Sequence, residues 1–130
     1  MITLAGCSEN EPKVAMRWYT ASQIELGAQV FVNNCVACHG AKGQGVKTWR
    51  KPLSNGKYSP PPLNGTAHAW HHSMKNLKAT VKHGGAKFGG IMPGFGDKLT
   101  AAEQEAVISY FQSQWTKEVY AAWIKRGGLR

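Results

Sequence analysis

The chain has 130 residues and a formal net charge of +9, from sixteen Lys and Arg against seven Asp and Glu. This length is typical of one domain. With 42% hydrophobic and 18% charged residues, the composition is that of a compact globular chain and excludes a disordered one. No window approaches the roughly 20 apolar residues of a membrane-spanning helix. No nucleic-acid-binding motif or dense basic run occurs, so we expect no nucleic-acid partner.

The positive charge is concentrated in the middle of the chain. Residues 40–96 contain no Asp or Glu but nine basic residues: Lys42, Lys47, Arg50, Lys51, Lys57, Lys75, Lys78, Lys82 and Lys87. Such a field steers acidic partners to the surface and raises encounter rates. The alternative is a solvated lysine-rich face without a specific partner.

The first residues include a short lipoprotein-like motif. Leu4-Ala5-Gly6-Cys7 resembles a bacterial lipobox, in which the cysteine is lipidated. A complete signal has a basic segment and an apolar stretch of roughly 7–15 residues, whereas only six residues, none basic, precede Cys7. We interpret residues 1–19 as an N-terminal arm or lipoprotein tether. The alternative for Cys7 is a spare thiol near a flexible end.

Capping residues and apolar spacing predict the helices in chain order. Thr20 with Gln23 forms a capping box before a helix over 21–36, and residues 40–66 are a long loop rich in Gly and Pro. Ser73 caps a helix over 74–83, a Gly-rich loop spans 84–98, and Thr100 with Glu103 opens the next helix. A shorter helix over 117–125 follows. The prediction is an all-α fold of three to five helices with long Gly/Pro-rich loops.

The motif with the clearest chemistry is Cys35-Val36-Ala37-Cys38-His39, the C-x-x-C-H signature of c-type haem attachment. Its two thiols add to the two vinyl groups of haem, and the adjacent histidine binds the iron. A thioredoxin-like redox pair normally accompanies a βαβ pattern, which this chain lacks. A structural zinc site needs four ligands, and a plain disulfide between Cys35 and Cys38 remains the simplest alternative.

Residues 18–116 resemble a class I cytochrome c of the bacterial periplasmic kind. The resemblance rests on Gly27-x-x-x-Phe31 before the C-x-x-C-H motif, on Tyr110, and on two loop segments, Pro61-Pro62-Leu63-Asn64-Gly65 and Ile91-Met92-Pro93-Gly94-Phe95. It implies that Gly27 and Phe31 pack against Tyr110. It also implies one haem c, covalently attached through Cys35 and Cys38, in a single domain over 20–130 with a C-terminal helical extension. Pro62 would then contact the haem.

Met92 is the expected second axial ligand of the iron, opposite His39. It lies in a Gly-rich loop, Pro93 stiffens that loop, and Met/His ligation raises the reduction potential. The rival ligands are Met16, Met74, His68, His71, His72 and His83. A purely packing role for Met92 is the simpler alternative.

The segment His68-Ala69-Trp70-His71-His72 allows two further hypotheses. Neighbouring histidines are common copper or zinc ligands, although hydrogen bonds to loop carbonyls or haem propionates are more usual. The Trp70 indole N–H could donate to a haem propionate. We expect the other tryptophans to pack without a chemical role.

The resemblance implies a periplasmic electron carrier and not an enzyme, with Fe(III)/Fe(II) cycling at a His/Met-ligated iron. Redox proteins with acidic docking surfaces are the expected partners, with Lys42, Lys47, Lys82 and Lys87 as the docking ring. Lipid on Cys7 would add membrane association. The alternatives are a gas sensor or peroxide-reactive enzyme with an open iron site, and an accessory subunit of a respiratory complex whose segment 115–130 is an interface. Without haem, the loop-rich middle has little to pack on.

Overall fold

The structure is a computed structural model that describes residues 11–130, so the predicted lipobox at Cys7 lies outside the described residues. These residues form five α-helices: α1 Ala21–Asn34, α2 Val36–His39, α3 Met74–His83, α4 Ala101–Ser113 and α5 Lys117–Lys125. Two 3-10 turns, Ala69–His71 and Ala86–Phe88, lie in the loops. Over residues 11–130, β pairing is limited to two isolated bridges. The all-α prediction is therefore confirmed.

The helix starts agree with the predicted caps. The Thr20 hydroxyl accepts from the Gln23 N–H while the Gln23 side chain accepts from the Thr20 N–H, and Thr100 with Glu103 repeats this arrangement. The first helix is shorter than predicted, because the backbone of Cys35, with φ −119° and ψ −30°, departs from helical geometry. The four-residue α2 follows at once, so the C-x-x-C-H motif spans a break between two helices.

The crossing of α1 and α4 forms the centre of the fold. A Cβ at Gly27 would lie 2.0 Å from the Ala106 carbonyl oxygen, so only glycine permits this approach. One turn later, the Phe31 ring lies 5.1 Å from the Tyr110 ring, centroid to centroid, at 52°. Phe31 is fully buried. The predicted packing of Gly27 and Phe31 against Tyr110 is confirmed.

The N-terminal segment differs from the predicted loose arm over its described part. Residues 13–20 form a turn closed by the Lys13–Thr20 bridge. The Arg17 guanidinium donates to the carbonyls of Gln112 and Trp115 at 3.0 and 2.9 Å, and the Tyr19 side chain is 1% exposed. The cause is that α4 ends beside this turn, where Arg17 adds hydrogen bonds to a carbonyl of the last helical turn and to one just beyond it. Packing of the domain thus begins before residue 20.

The C-terminal extension completes the core. Trp123 of α5 is 1% exposed, and its indole N–H donates to the His72 carbonyl at 2.7 Å. Its ring lies 6.0 Å from that of Trp115, edge to face, and the Tyr120 hydroxyl accepts from the Trp18 N–H. The extension is therefore bound to the N-terminal turn, to Trp115 just beyond α4 and to the segment before α3. Among residues 11–130, no helix combines the length and apolar character needed to cross a membrane.

Candidate metal centre

The C-x-x-C-H motif is held where α1 passes into α2. The Cys35 N–H still donates to the Phe31 carbonyl, and the Cys35 carbonyl accepts from the N–H groups of Cys38 and His39. Cys35 is half-buried and Cys38 is exposed, and both are free thiols. The predicted disulfide alternative is not realised. No group of three or more His, Cys, Asp or Glu within residues 11–130 is arranged to hold a metal ion.

The Cys35 thiol is protonated at neutral pH. Burial, and secondarily the neighbouring Cys38, raises the pKa of Cys35 to about 11. A protonated, partly buried thiol is a poor metal ligand and reacts slowly as a nucleophile, because the thiolate is the reactive form. These properties do not fit a thioredoxin-like redox pair, which requires a thiolate of lowered pKa.

His39 is fixed in one tautomer. Its side chain is 7% exposed, and its Nδ1 lies 2.9 Å from the Pro61 carbonyl oxygen. Because a carbonyl can only accept, Nδ1 carries the proton and the lone pair is on Nε2. Burial lowers the pKa of His39, and the Pro61 hydrogen bond opposes this only in part. The result is a neutral imidazole whose Nε2 can bind a metal.

The long loop 40–66 brings Pro61 to this histidine. The Gly45 N–H donates to the His39 carbonyl at 2.7 Å, and the Val46 N–H donates to the Pro60 carbonyl at 2.9 Å. Gly45 has φ +66°, and a Cβ there would lie 2.5 Å from the Pro61 carbonyl carbon. Pro62, the next residue, is buried. The roles of Gly45 and Pro61 are missing from the sequence prediction, because no local signal reports which distant carbonyl a loop presents.

Met92 lies in a loop that hydrogen bonds fasten to the end of α3. The Met92 carbonyl accepts from the Gly85 N–H at 3.0 Å, and the Phe95 N–H donates to the Val81 carbonyl at 2.9 Å. Gly84 has φ +85°, and a Cβ there would lie 2.5 Å from the Met92 carbonyl oxygen. The Met92 side chain is partly buried against the hydrophobic core. The backbone that carries the Met92 thioether is thus fastened to the end of α3.

The rival ligands are placed differently. Met16 is 91% exposed at the N-terminal turn, and Met74 begins α3, where its N–H binds the Gly128 carbonyl. All four rival histidines are exposed: His68, His71, His72 and His83.

Trp70, the proposed propionate donor, is half-buried beside His71, with ring centroids 4.1 Å apart. Within the described part of the chain its indole N–H makes no hydrogen bond, and its role toward a propionate stays a prediction. The expectation that the other tryptophans pack is met by Trp115 and Trp123, which are 2% and 1% exposed.

The chain's own groups fit a haem at this place. They are two free thiols that can add to the vinyl groups, one imidazole with an available Nε2, and one thioether. Within residues 11–130, five of the nine exposed large apolar side chains lie on the two long loops: Val46, Leu53, Tyr58, Phe88 and Ile91. Exposure of such side chains to water is unfavourable, and a flat apolar cofactor would cover them.

Comparison with known proteins gives the family. The sequence model of the cytochrome c family matches residues 24–115, which is more than half of the chain. The chain belongs to the cytochrome c family. The cbb3-type cytochrome c oxidase subunit FixP of Sinorhizobium medicae is 29% identical over 96 residues, covering 69% of this chain. The match spans 29% of that longer protein. No solved structure is significantly similar.

Membership of the cytochrome c family identifies the cofactor as covalently bound haem c and the chemistry as haem-based electron transfer. The predicted class I cytochrome c fold is confirmed as well. The match ends at residue 115, so the α5 extension lies outside it.

Proposed function

We propose that this protein carries single electrons through one haem c attached to Cys35 and Cys38, with His39 and Met92 as axial ligands. The observation that carries the proposal is the His39 imidazole, buried and neutral, with Nδ1 bound to the Pro61 carbonyl. When bound, the haem supplies an iron that alternates between Fe(III) and Fe(II).

The residues around His39 set its orientation and its strength as a ligand. A histidine that donates its second N–H to a carbonyl is fixed in rotation and becomes a stronger ligand. The Gly45 N–H holds the His39 backbone while the same loop positions Pro61. The imidazole would therefore be held in one orientation as an iron ligand in both oxidation states of a bound haem, which suits electron transfer.

Met92 supplies the second ligand, and its thioether stabilises the reduced iron and raises the reduction potential. The bonds from Gly85 and to Val81 keep the Met92 loop against α3. A chain that provides both axial ligands leaves no position for substrate, so the protein is proposed to be an electron carrier and not an enzyme.

Acidic redox proteins are the proposed partners. Lys42, Lys47, Lys82 and Lys87 are all exposed, and they flank the attachment motif and the Met92 loop in sequence. Encounters of this kind are small and transient. Since exposed charges are screened by salt, electron transfer to an acidic partner should slow as ionic strength rises.

We further propose a location outside the cytoplasm, in the periplasm, with lipid on Cys7 as an anchor. Because FixP of Sinorhizobium medicae is an oxidase subunit, the second candidate function is that of an accessory subunit of a respiratory complex. Size measurement of the native protein separates a free monomeric carrier from a permanently bound subunit.

Replacement of the proposed ligand tests the function. Met92→Ala should lower the reduction potential and open the ferrous iron to carbon monoxide, which the wild-type protein should not bind readily. Met16→Ala, which removes a thioether that is 91% exposed, is the matched control and should change neither property. Ready carbon monoxide binding by the wild-type protein would instead favour the sensor or enzyme alternative.

A further inference from the structure

The outer side of the C-terminal extension combines positive charge with exposed apolar side chains. We define the C-terminal basic face as Ile124, Lys125, Arg126, Leu129 and Arg130. Ile124 is 40% exposed and Leu129 is 53% exposed, and the three basic residues are exposed. None of these three forms an ion pair within residues 11–130, where the observed pair is Lys78 with Glu105. The cations are therefore available to an external anionic surface.

A row of aromatic and cationic side chains continues from this face. The Arg126 guanidinium carbon lies 5.3 Å from the centre of the Trp70 ring. The rings of Trp70 and His71 are 4.1 Å apart, and those of His71 and His68 are 4.8 Å apart. Residues 40–96, which include this row, contain no acidic side chain. The surface thus joins a tryptophan to basic residues, and the acidic residue of α5, Glu118, lies in the first turn of that helix, away from its basic end.

We propose that the C-terminal basic face binds the surface of a bilayer that contains anionic phospholipid. Basic side chains bind anionic headgroups, exposed aliphatic side chains enter the boundary of the acyl region, and tryptophan favours the interface. This surface goes beyond the electron-transfer function and lies mostly in the extension that the family match leaves uncovered.

The path of the N-terminal segment favours a bilayer over an acidic protein as the occupant. Trp18 donates its backbone N–H to the Tyr120 hydroxyl, and the Arg17 guanidinium lies 4.2 Å from the Tyr120 ring centre. The segment that follows the predicted lipid anchor therefore packs on α5. Glu11 lies four positions after Cys7, which at full extension is a reach of about 14 Å. A lipid on Cys7 would keep the domain, in which this segment packs on α5, within a short distance of the membrane.

A lipid anchor of one acyl chain would need a second membrane-binding surface. A single acyl chain provides marginal, reversible membrane binding, and stable attachment requires a second signal such as a basic patch. The C-terminal basic face would be that second signal, and it would orient the domain on the bilayer.

Vesicle sedimentation tests the proposal independently of electron transfer. Haem-loaded Cys7→Ser protein, which lacks the lipid site, is mixed with vesicles of phosphatidylglycerol and phosphatidylcholine in equal parts, or of phosphatidylcholine alone. Bound protein is measured by haem absorbance. We expect binding to the anionic vesicles and little to the neutral ones. Equal binding to both, or binding to neither, would overturn the proposal.

Matched triple variants locate the surface. Lys125→Gln with Arg126→Gln and Arg130→Gln should weaken vesicle binding about tenfold or more, since each basic residue near the surface contributes about fivefold. Lys42→Gln with Lys47→Gln and Lys87→Gln removes the same charge from the long loops and should weaken binding less than about threefold. Equal losses in the two triples would show diffuse attraction and overturn the assignment.

Two smaller variants keep the test informative if the first triple is unstable. Lys125→Gln with Arg130→Gln leaves the Arg126 contact with Trp70 in place and should still weaken binding about fivefold or more. Ile124→Ser with Leu129→Ser retains all charges and should also weaken binding. A C-terminal variant that slows electron transfer to a redox partner, while wild-type protein ignores anionic vesicles, would assign the face to a protein and refute the lipid proposal.

Discussion

At the crossing of α1 and α4, two helices approach so closely that a Cβ on Gly27 would lie 2.0 Å from the Ala106 carbonyl oxygen. The loops 40–66 and 84–98 offer a contrast, because scattered backbone hydrogen bonds hold them. Examples are the bonds from the Gly45 N–H to the His39 carbonyl and from the Gly85 N–H to the Met92 carbonyl. The helix crossing buries apolar side chains within the chain, whereas the loops expose several of theirs.

The two regions of this small domain are stabilised in different ways. The helical region gains its stability from contacts that the polypeptide makes with itself, including the fully buried Phe31 and Ile108. The loop region presents the Met92 thioether and exposed apolar side chains beside the two thiols and the imidazole of the α1–α2 junction, and haem would provide the contacts that complete it. Perturbations should therefore separate the two regions.

Loss of haem attachment should have the largest effect. Cys35→Ala with Cys38→Ala removes the covalent link, so the loops lose the cofactor on which they pack. We expect a largely unfolded chain with little cooperative thermal transition by circular dichroism. Cys7→Ala, which removes the third cysteine, is the control and should fold normally. A double variant with wild-type circular dichroism would contradict the dependence of the loops on haem.

A substitution that overpacks the crossing of α1 and α4 should have the second largest effect. Gly27→Ala forces α1 away from the Ala106 carbonyl and should cost about 3 kcal/mol in the free energy of unfolding. Gly56→Ala is the matched control, since nothing lies within 4 Å of a Cβ there and only its φ of +78° is unfavourable. It should cost about 1 kcal/mol. Chemical denaturation measures both, and equal costs would refute the close approach.

The junction of the N-terminal turn with α4 should show an intermediate effect. Arg17→Met removes two hydrogen bonds to the carbonyls of Gln112 and Trp115, and should cost about 2 kcal/mol. Lys13→Met, at an exposed position of the same turn, should change stability by less than about 0.5 kcal/mol. Denaturant midpoints of the two variants give the comparison, and an unaffected Arg17→Met protein would restore the loose-arm interpretation.

The smallest effect concerns pH. Partial loss of hydration, then the charges of Arg126, His68 and His72, lowers the pKa of His71. A histidine whose pKa is lower in the folded state reduces stability as pH falls, because the unfolded chain binds more protons. Arg126→Gln should raise the pKa of His71, so that less stability is lost as the pH falls. NMR titration of the reduced protein measures the change, and Arg50→Gln, remote from His71 in the row of rings, is the control.

Local sequence signals predicted much of the fold. The Thr20 and Thr100 caps place two helix starts, and the C-x-x-C-H motif indicates the cofactor, because these features depend on neighbours in the chain. The packing of Gly27 against α4 was predicted through a family resemblance and not through local physics. The break at Cys35, which ends α1 two residues early, has no composition signal.

Contacts between distant segments could not be predicted in this way. The bonds from Arg17 to Gln112 and Trp115 join residues 95 and 98 positions apart, and nothing near Arg17 specifies them. The same holds for the Pro61 carbonyl on His39, which depends on a positive φ at Gly45 and on how the loop returns. The residue types of the site were thus predictable, whereas the carbonyl that fixes its histidine was not.

The most direct test of haem ligation by His39 and Met92 is an optical spectrum of the purified protein, oxidised and then reduced, extended to the near-infrared. We predict haem absorbance with sharp α and β bands on reduction, and in the oxidised form the weak long-wavelength band expected for iron–thioether ligation, lost in Met92→Ala. Haem bands without that feature would contradict ligation by Met92. No haem absorbance, in protein produced by a host that attaches haem, would contradict the account as a whole.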